Sequence, residues 1–412
     1  MKILLLEPYY TGSHAAWAEG YAGSSQHQLE ILSLPGRFWK WRMHGGAVTL
    51  ANQFLASDLK PDLILATDMV DLTTFLALTR RETATIPTAI YFHENQLTYP
   101  WSPTDRDLAQ QRDKHYGFIN YTSALAADRV LFNSTYHLES FLGALPQLLK
   151  HFPDYNELKT VDQIRAKSEV LPLGLDLARF DQFKPPAQPA NPKPLLLWGH
   201  RWEFDKAPDV FFNALTILSE RGFEFELAVL GENFSRKPTV FLEAEKRLAK
   251  HIVQFGYADS FADYAGWLWR ADIMPVTSNQ DFFGASVVEG LYCDCFPLLP
   301  KRLAYPYIVP AQYHARCFYQ DFDDLLARLS QAITDIEPTR QFSLRRWRPN
   351  MIGPSKAERM ISSFRSWSTA NPAQFVSPAT KKKPGRPASP AHRAFRSKAE
   401  NKGRKQKAEG RR

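Results

Sequence analysis

Two carboxylates, Asp281 and Glu289, stand on either side of seven residues in the stretch 281–299, DFFGASVVEGLYCDCFPLL. Gly284 and Ala285 lie between them, ahead of an apolar run that reads as a helix and then a short buried strand. A helix N-terminus built from small residues presents backbone N–H groups that suit a phosphate. One acid on the approach loop and one about a turn and a half into the helix can bracket a sugar nucleotide, the first on sugar hydroxyls and the second on the ribose. An ordinary loop–helix–strand unit with two surface acids has the same spacing, so the pair alone leaves both readings open.

A second group lies some eighty residues upstream. The apolar run 195–198 ends in GHRWEFDK (199–206), and Pro208 is placed to open a helix. Gly199, Arg201 and Lys206 thus fall on a strand-to-helix loop, where a guanidinium and an ammonium can clamp a diphosphate; two solvated cations are the alternative. His93 closes the strand 87–92 beside Glu94 and Asn95, at the carboxyl edge where open α/β sheets bind ligands. There it can touch a transferred sugar or a leaving phosphate. Gly12 follows the first strand in PYYTGSH, and Tyr257 follows the strand 252–256, where it can line a base pocket.

The stretch 37–42 carries different chemistry. Arg37, Trp39, Lys40, Trp41 and Arg42 interleave cations with rings, a pattern that suits nucleic acid because cations meet phosphate while rings stack on bases. It reads as an acceptor-facing loop running to Gly45-Gly46, ahead of a helix at 47–57; a packed loop with its tryptophans in the core is the alternative. Lys114, in the polar segment 99–116, joins these residues as an RNA-contact candidate.

Strand and helix signals alternate twice along the 412 residues, enough chain for two domains with real cores. Strands are expected at 2–7, 28–34, 62–67, 87–92, 129–133 and 169–173, and again at 195–198, 224–230, 252–256, 273–276, 295–299 and 316–319. Between the two runs, FKPPAQPANPKP carries five prolines and reads as a stiff linker. The expected organisation is an acceptor-side Rossmann-like domain at 1–182, the linker at 183–194, a nucleotide-sugar-binding Rossmann-like domain at 195–352, a crossover helix at 353–370 and a disordered basic tail at 371–412.

The net charge of +8 belongs to that tail. Residues 371–412 hold 13 Lys/Arg against 2 Asp/Glu, whereas the rest of the chain holds 38 basic and 41 acidic residues. Rich in Pro, Ser, Ala and Gly, the tail cannot bury enough surface to fold alone. It is either a solubilising segment or an electrostatic tether for a polyanion such as RNA. No apolar run is long enough to cross a bilayer, and MKILLLE lacks the features of a signal peptide. Cys293, Cys295 and Cys317 lack a zinc spacing and read as buried free thiols, which fits a reduced, cytoplasmic setting. The acids at 321–324 read as a helix start, and no metal site is expected.

Two α/β halves with phosphate features in the second resemble the GT-B fold. Asp281-x7-Glu289 resembles the E-x7-E signature of the retaining glycosyltransferase family 4, with the shorter Asp in the first place. Gly199, Arg201 and Lys206 match that family's G-x-R plus Lys arrangement, Gly12 its amino-terminal glycine loop, and His93 its strand-end histidine. EPYYTGSH, LPGRFWKWRMHGG, YFHENQLTYP and LFNST are similar to the glycosyltransferase-like domain-containing protein 1 group, over roughly residues 1–350. That resemblance implies transfer of mannose from GDP-mannose to the cyclopentenediol of queuosine in the anticodon of tRNA-Asp. It further implies retention of configuration and no metal or other cofactor. His93, Arg201, Lys206 and Asp281 are then the catalytic candidates. Gly12, Gly199, Tyr257, Gly284, Ala285 and Glu289 are the donor-binding ones. A family 4 enzyme with a lipid or polysaccharide acceptor, and a non-catalytic RNA-binding protein on a degenerate transferase fold, are the competing readings.

Overall fold

The apolar run directly behind Met1 can only be satisfied by cover on both faces. Ile3, Leu4, Leu5 and Leu6 are all buried in β1 (Lys2–Tyr10). Strands sandwiched between helix layers lose the in–out alternation of a half-exposed strand. The same unbroken burial marks β3 (Leu63–Thr67) and β4 (Thr88–Phe92), and all but the first residue of β5 (Arg129–Phe132). With β2 (Gln28–Pro35) and β6 (Ser168–Val170) they form a parallel sheet in the order β2-β1-β3-β4-β5-β6. The computed structural model describes residues 1–102, 105–109, 114–186, 191–231 and 238–344. The expected crossover helix at 353–370 and basic tail at 371–412 lie outside the described residues, as does part of the proline-rich segment.

A second parallel sheet follows the same logic. It consists of β7 (Leu195–Gly199), β8 (Glu226–Leu230), β9 (Ile252–Gly256), β10 (Ile273–Pro275), β11 (Phe296–Pro300) and β12 (Phe318–Tyr319). Their order is β12-β11-β10-β7-β8-β9. Each sheet has its own core. Leu4, Phe75, Phe132 and Phe141 belong to the first, and Leu196, Trp198, Phe211 and Phe241 to the second. The chain passes to the second core at Leu177 and Phe180, ahead of the prolines, because the 3-10 turn Leu177–Phe183 buries both side chains there.

Two local expectations are corrected. The basic-aromatic stretch is mostly not a loop, since a helix runs continuously over Trp39–Leu55. Gly45 and Gly46 look like breakers, but a Cβ on Gly46 would lie 3.2 Å from Pro8. There the missing side chain lets the helix lie close against the first sheet. At the other end, Arg316 and Cys317 belong to the helical turn His314–Cys317, leaving only two residues in β12. All three cysteines are buried free thiols, and Asp321 caps the helix Phe322–Thr334 by accepting the N–H of Asp324 at 2.9 Å.

Each strand order reverses once, between β1 and β3 in the first sheet and between β7 and β10 in the second. Such switch points open a crevice outside the carboxyl ends of the strands.

Candidate active site

In the second half, the loops after β7 and β10 meet at Lys206. Its Nζ donates to the Gln280 carbonyl at 2.6 Å and to Asp281 Oδ1 at 3.0 Å, and lies 3.0 Å from Asp205 Oδ2. Ala207 follows in the left-handed region (φ 47°), and Thr277 Oγ1 donates to the carbonyls of both Lys206 and Ala207. A non-glycine residue holds that conformation only where its surroundings over-determine it. Burial opposes the charge on Lys206, but Asp281 and Asp205 outweigh it and hold the ammonium above its ordinary range. Burial likewise opposes ionisation of Asp281; Lys206, His200 and the Tyr305 hydroxyl that donates to Oδ2 reverse the balance and keep it low. Asp281 therefore enters the crevice with both oxygens already engaged.

His200 follows Gly199 at the end of β7. Its Nδ1 lies 3.1 Å from Ser286 Oγ, and burial pushes its pKa down to about 4, so the ring is neutral at pH 7. Gly284, with φ 80°, caps the helix Ala285–Tyr292; a Cβ there would sit 3.2 Å from Tyr305 Cε1. The first helical N–H groups, of Ala285 and Ser286, are those a helix leaves without intrahelical partners. Glu289, further along, accepts the Tyr264 hydroxyl at 2.8 Å and lies 3.8 Å from Arg179 Nη2. Burial raises its pKa against the pull of both partners. Tyr257 is 65% exposed and makes none of these contacts.

The halves touch across this site. Ser134 Oγ donates to the Phe282 carbonyl, and the His137 ring stacks on the Phe282 ring at 4.0 Å. The Tyr99 hydroxyl reaches Asp205 Oδ2 at 3.5 Å. Arg201, half exposed, pairs with Glu203 at 3.3 Å. Burial opposes its charge, but Glu203, Tyr99, Asp205 and Glu94 raise it overall. Tyr99 and Glu94 come from the first half, so Arg201 stands at the seam.

In the first half, the β1/β3 crevice gathers Glu7, His14, Asp68, His93 and Glu94. Glu7 is fully buried; its Oε1 accepts the Tyr9 N–H and its Oε2 lies 3.1 Å from His14 Nδ1. Burial opposes the charge on His14, yet Glu7, Asp68 and Glu94 lift its pKa to about 9. Burial, together with the His14 charge, keeps His93 neutral. Gly12 (φ 50°) is exposed at the head of the helix that carries His14. Glu7, His14 and His93 each bring one ligand atom within 4.8 Å of the others, a set able to hold a metal ion.

The sequence-predicted residues are thus sorted. Lys206, Asp281, Gly284 and Ala285 converge, with Gly199 and Arg201 on the adjoining loop; His93 and Gly12 lie at the other crevice. Asp205, His200, Ser286 and Tyr305 in the second half, and Glu7, His14, Asp68 and Tyr99 in the first, were missed. A signal existed for Glu7 and Asp68, acids placed at the ends of apolar strands; none existed for Tyr305. The basic-aromatic group divides. Lys40 Nζ is paired with Asp105 (2.6 Å) and Asp107 (2.5 Å), and Trp39 packs with Trp101 and Tyr116. Arg42 Nε donates to the Pro35 carbonyl. Arg37 and Trp41 remain exposed, Trp41 by 63%. Lys114 Nζ lies 3.1 Å from His151 Nδ1, beside a surface groove of about 520 Å³ that Lys150 also lines.

Two parallel six-stranded Rossmann-like sheets with a site at their seam define a GT-B glycosyltransferase fold. Sucrose-phosphate synthase from Thermosynechococcus elongatus superposes with a TM-score of 0.64 at 14% identity, covering 90% of this chain and 100% of that one. HepE from Anabaena, solved with UDP and glucose, gives 0.60 at 13% identity, covering 89% and 99%. Sequence narrows the class. Residues 2–175 match the family model described as tRNA-queuosine alpha-mannosyltransferase N-terminal. The tRNA-queuosine alpha-mannosyltransferase of Drosophila melanogaster is 34% identical over 317 residues, 75% of this chain and 82% of the relative. The chain belongs to the tRNA-queuosine alpha-mannosyltransferase family. No helix among the described residues is long and apolar enough to cross a membrane.

Proposed function

We propose that this chain transfers mannose from GDP-mannose to queuosine in the anticodon of tRNA-Asp, with retention of configuration and without a metal or other cofactor. Membership of the family makes it a glycosyltransferase. The observation that carries the site assignment is the meeting of Lys206, Asp281 and the Gly284 helix N-terminus opposite Arg201, Tyr99 and Glu94. In this reading Lys206 and Arg201 stabilise the diphosphate as it leaves, the step in which negative charge develops and fixed cations act most strongly. The N–H groups at Ala285 and Ser286 add to that field. Glu289 takes the ribose hydroxyls by exchanging its Tyr264 or Arg179 contact. Asp281 orients Lys206 and, through remaining lone pairs, the sugar. His93 and Gly12 border the reacting carbon from the first half. Closure of the halves on both substrates excludes water, which would otherwise compete as acceptor.

The test is incubation of the full chain with queuosine-containing tRNA and a panel of nucleotide sugars, followed by mass spectrometry of the digested nucleosides. Gain of one hexose on queuosine, from GDP-mannose above the others, is expected. Transfer only to lipid or polysaccharide acceptors, or tRNA binding without transfer from any donor, would refute the reading.

A further inference from the structure

The crevice of the first sheet contains a buried carboxyl group with half of its bonding capacity unused. Asp68 is 1% exposed; its Oδ1 accepts the backbone N–H of His93 at 2.7 Å, whereas Oδ2 has no partner. Nε2 of His93 is likewise buried and unpartnered. Buried polar atoms in folded proteins are almost always satisfied, and exceptions call for a function. Glu7 cannot answer for them, since both its oxygens are engaged with Tyr9 and His14. Glu94, next to His93, keeps Oε1 on Gln96 Nε2 at 2.7 Å. It is near enough to act on the charges of Asp68, His14 and, from the other half, Arg201.

Glu7, Glu94 and the Asp68 carboxyl, which burial holds well above the ordinary carboxylate range, therefore lie around the His14 imidazolium at the switch point of the first sheet. A diphosphate would be repelled there. A group that brings O–H or N–H donors and positive charge would be held. The wall beside them is aromatic: Trp17 stacks on Tyr91 at 4.8 Å and meets the His93 ring edge-on at 4.6 Å. Trp17 and His14 are partly exposed, and His14 heads a helix behind the exposed Gly12. Asp68 Oδ2 and His93 Nε2 are buried, so a ligand ring reaches them only when Trp17 or His14 moves aside.

We propose that Asp68 and Glu94 form the acceptor subsite. Asp68 Oδ2 accepts hydrogen bonds from the vicinal hydroxyls of the cyclopentene ring of queuosine, and Glu94 faces the protonated secondary amine that joins that ring to the base. This rests on the family reading above and adds the atoms that recognise the modified nucleoside. Vicinal hydroxyls also occur on the donor hexose, so the test separates the two sources.

Transfer to queuosine-containing tRNA is measured with two competitors: free queuine, and 7-aminomethyl-7-deazaguanine, which has the amine but lacks the diol ring. The unaltered chain is inhibited about 10-fold or more better by queuine, within the cost of leaving a buried polar group unpaired. Asp68→Asn loses that ratio and raises the KM for tRNA about 10- to 100-fold, while its affinity for the nucleotide sugar stays within twofold. Glu94→Gln weakens both competitors to the same degree. A ratio unchanged in Asp68→Asn, inhibition by neither compound, or a loss that falls on nucleotide-sugar affinity overturns the subsite. Where Asp68→Asn does not fold, the partly exposed Glu94→Gln decides, and an unchanged response to both competitors is the refuting result. Absence of any transfer by the unaltered chain would instead overturn the family reading.

Discussion

Replacing Lys206 with alanine should injure the fold as well as the reaction, and replacing Arg201 should injure only the reaction. Lys206 is 7% exposed and its ammonium is shared by Gln280, Asp281 and Asp205. Its removal leaves two largely buried carboxylates without their cation. Breaking a buried pair by deleting one partner costs about 3–5 kcal/mol, a large part of a total that is about 5–15 kcal/mol for a typical domain. At about 2–4 °C per kcal/mol, the melting temperature should fall by about 6–20 °C. Arg201 has a half-exposed side chain and one ion pair. Such a pair contributes about 0–1 kcal/mol, so Arg201→Ala should melt within a few degrees of the parent.

Thermal melting and urea denaturation read the first effect; single-turnover transfer reads the second. Both variants should lose about 100-fold or more in turnover, the scale of one removed transition-state donor. The pH dependence gives a further check. The depressed pKa of Asp281 supplies stability above the ordinary carboxylate range, and this is lost as pH falls through its folded value. The gap between parent and Lys206→Ala should therefore narrow in acid. Adding Asp281→Asn to Lys206→Ala should restore part of the lost stability. A Lys206→Ala protein that melts within two degrees of the parent would refute the reasoning about the buried network, and near-normal turnover by both variants would refute the diphosphate clamp.

Four further outcomes are expected. Gly284→Ala forces a side chain into φ 80° and against Tyr305, costing about 1–2 kcal/mol in urea denaturation and lowering turnover by dislodging the partner of Asp281. Stability should fall with rising pH between 6.5 and 9, because folded His14 keeps its proton to about pH 9 while the unfolded chain releases it. The limit is about 3 kcal/mol, read as a slope that His14→Gln flattens. His200, held to about 4, has the opposite sign, so stability also falls as pH drops from 6.5 towards 4. Trp41→Ala should leave the melting temperature unchanged and weaken tRNA binding about 10-fold, the value of one lost base stack; unchanged affinity in a filter-binding titration would remove Trp41 from the RNA surface.

The strands were legible because their burial is nearly unbroken: Ile3–Leu6 and Leu63–Ala66 announce covered parallel strands without any tertiary knowledge. The donor-side loop was legible for the same local reason, a glycine, two cations and a helix-opening proline in one turn. What failed was local chemistry overridden by distant packing. Gly45 and Gly46 read as a break, yet both lie inside the helix, Gly46 close against Pro8 and Gly45 under the Trp41 ring. Lys40 read as an RNA cation until Asp105 and Asp107, more than sixty residues away, were found paired with it. Tyr305 carries no signature, since it acts through one contact with Asp281; Ser134 reads as a helix cap, and it does accept the His137 N–H, but its second bond, to the Phe282 carbonyl, has no local signal.

The two crevices differ in charge in a way that bears on how the substrates are told apart. The second sheet offers Arg201 and Lys206 beside a helix N-terminus, and the first offers Glu7, Asp68 and Glu94 around His14. In the proposed reading a nucleotide diphosphate is drawn to the second crevice rather than the first, which would give the donor one orientation across the seam. A cationic nucleoside is steered the opposite way. The phosphates flanking that nucleoside gain nothing from the acids that hold it. Excluding residues 371–412, acidic residues outnumber basic ones by 41 to 38, so general attraction for a polyanion cannot come from that part of the chain as a whole. It must come from local cations such as Arg37, Lys114 and Lys150, or from the 13 Lys/Arg of residues 371–412. Because counterion release scales with the number of phosphates neutralised, affinity for tRNA should depend steeply on salt, while discrimination of queuosine from guanosine should not.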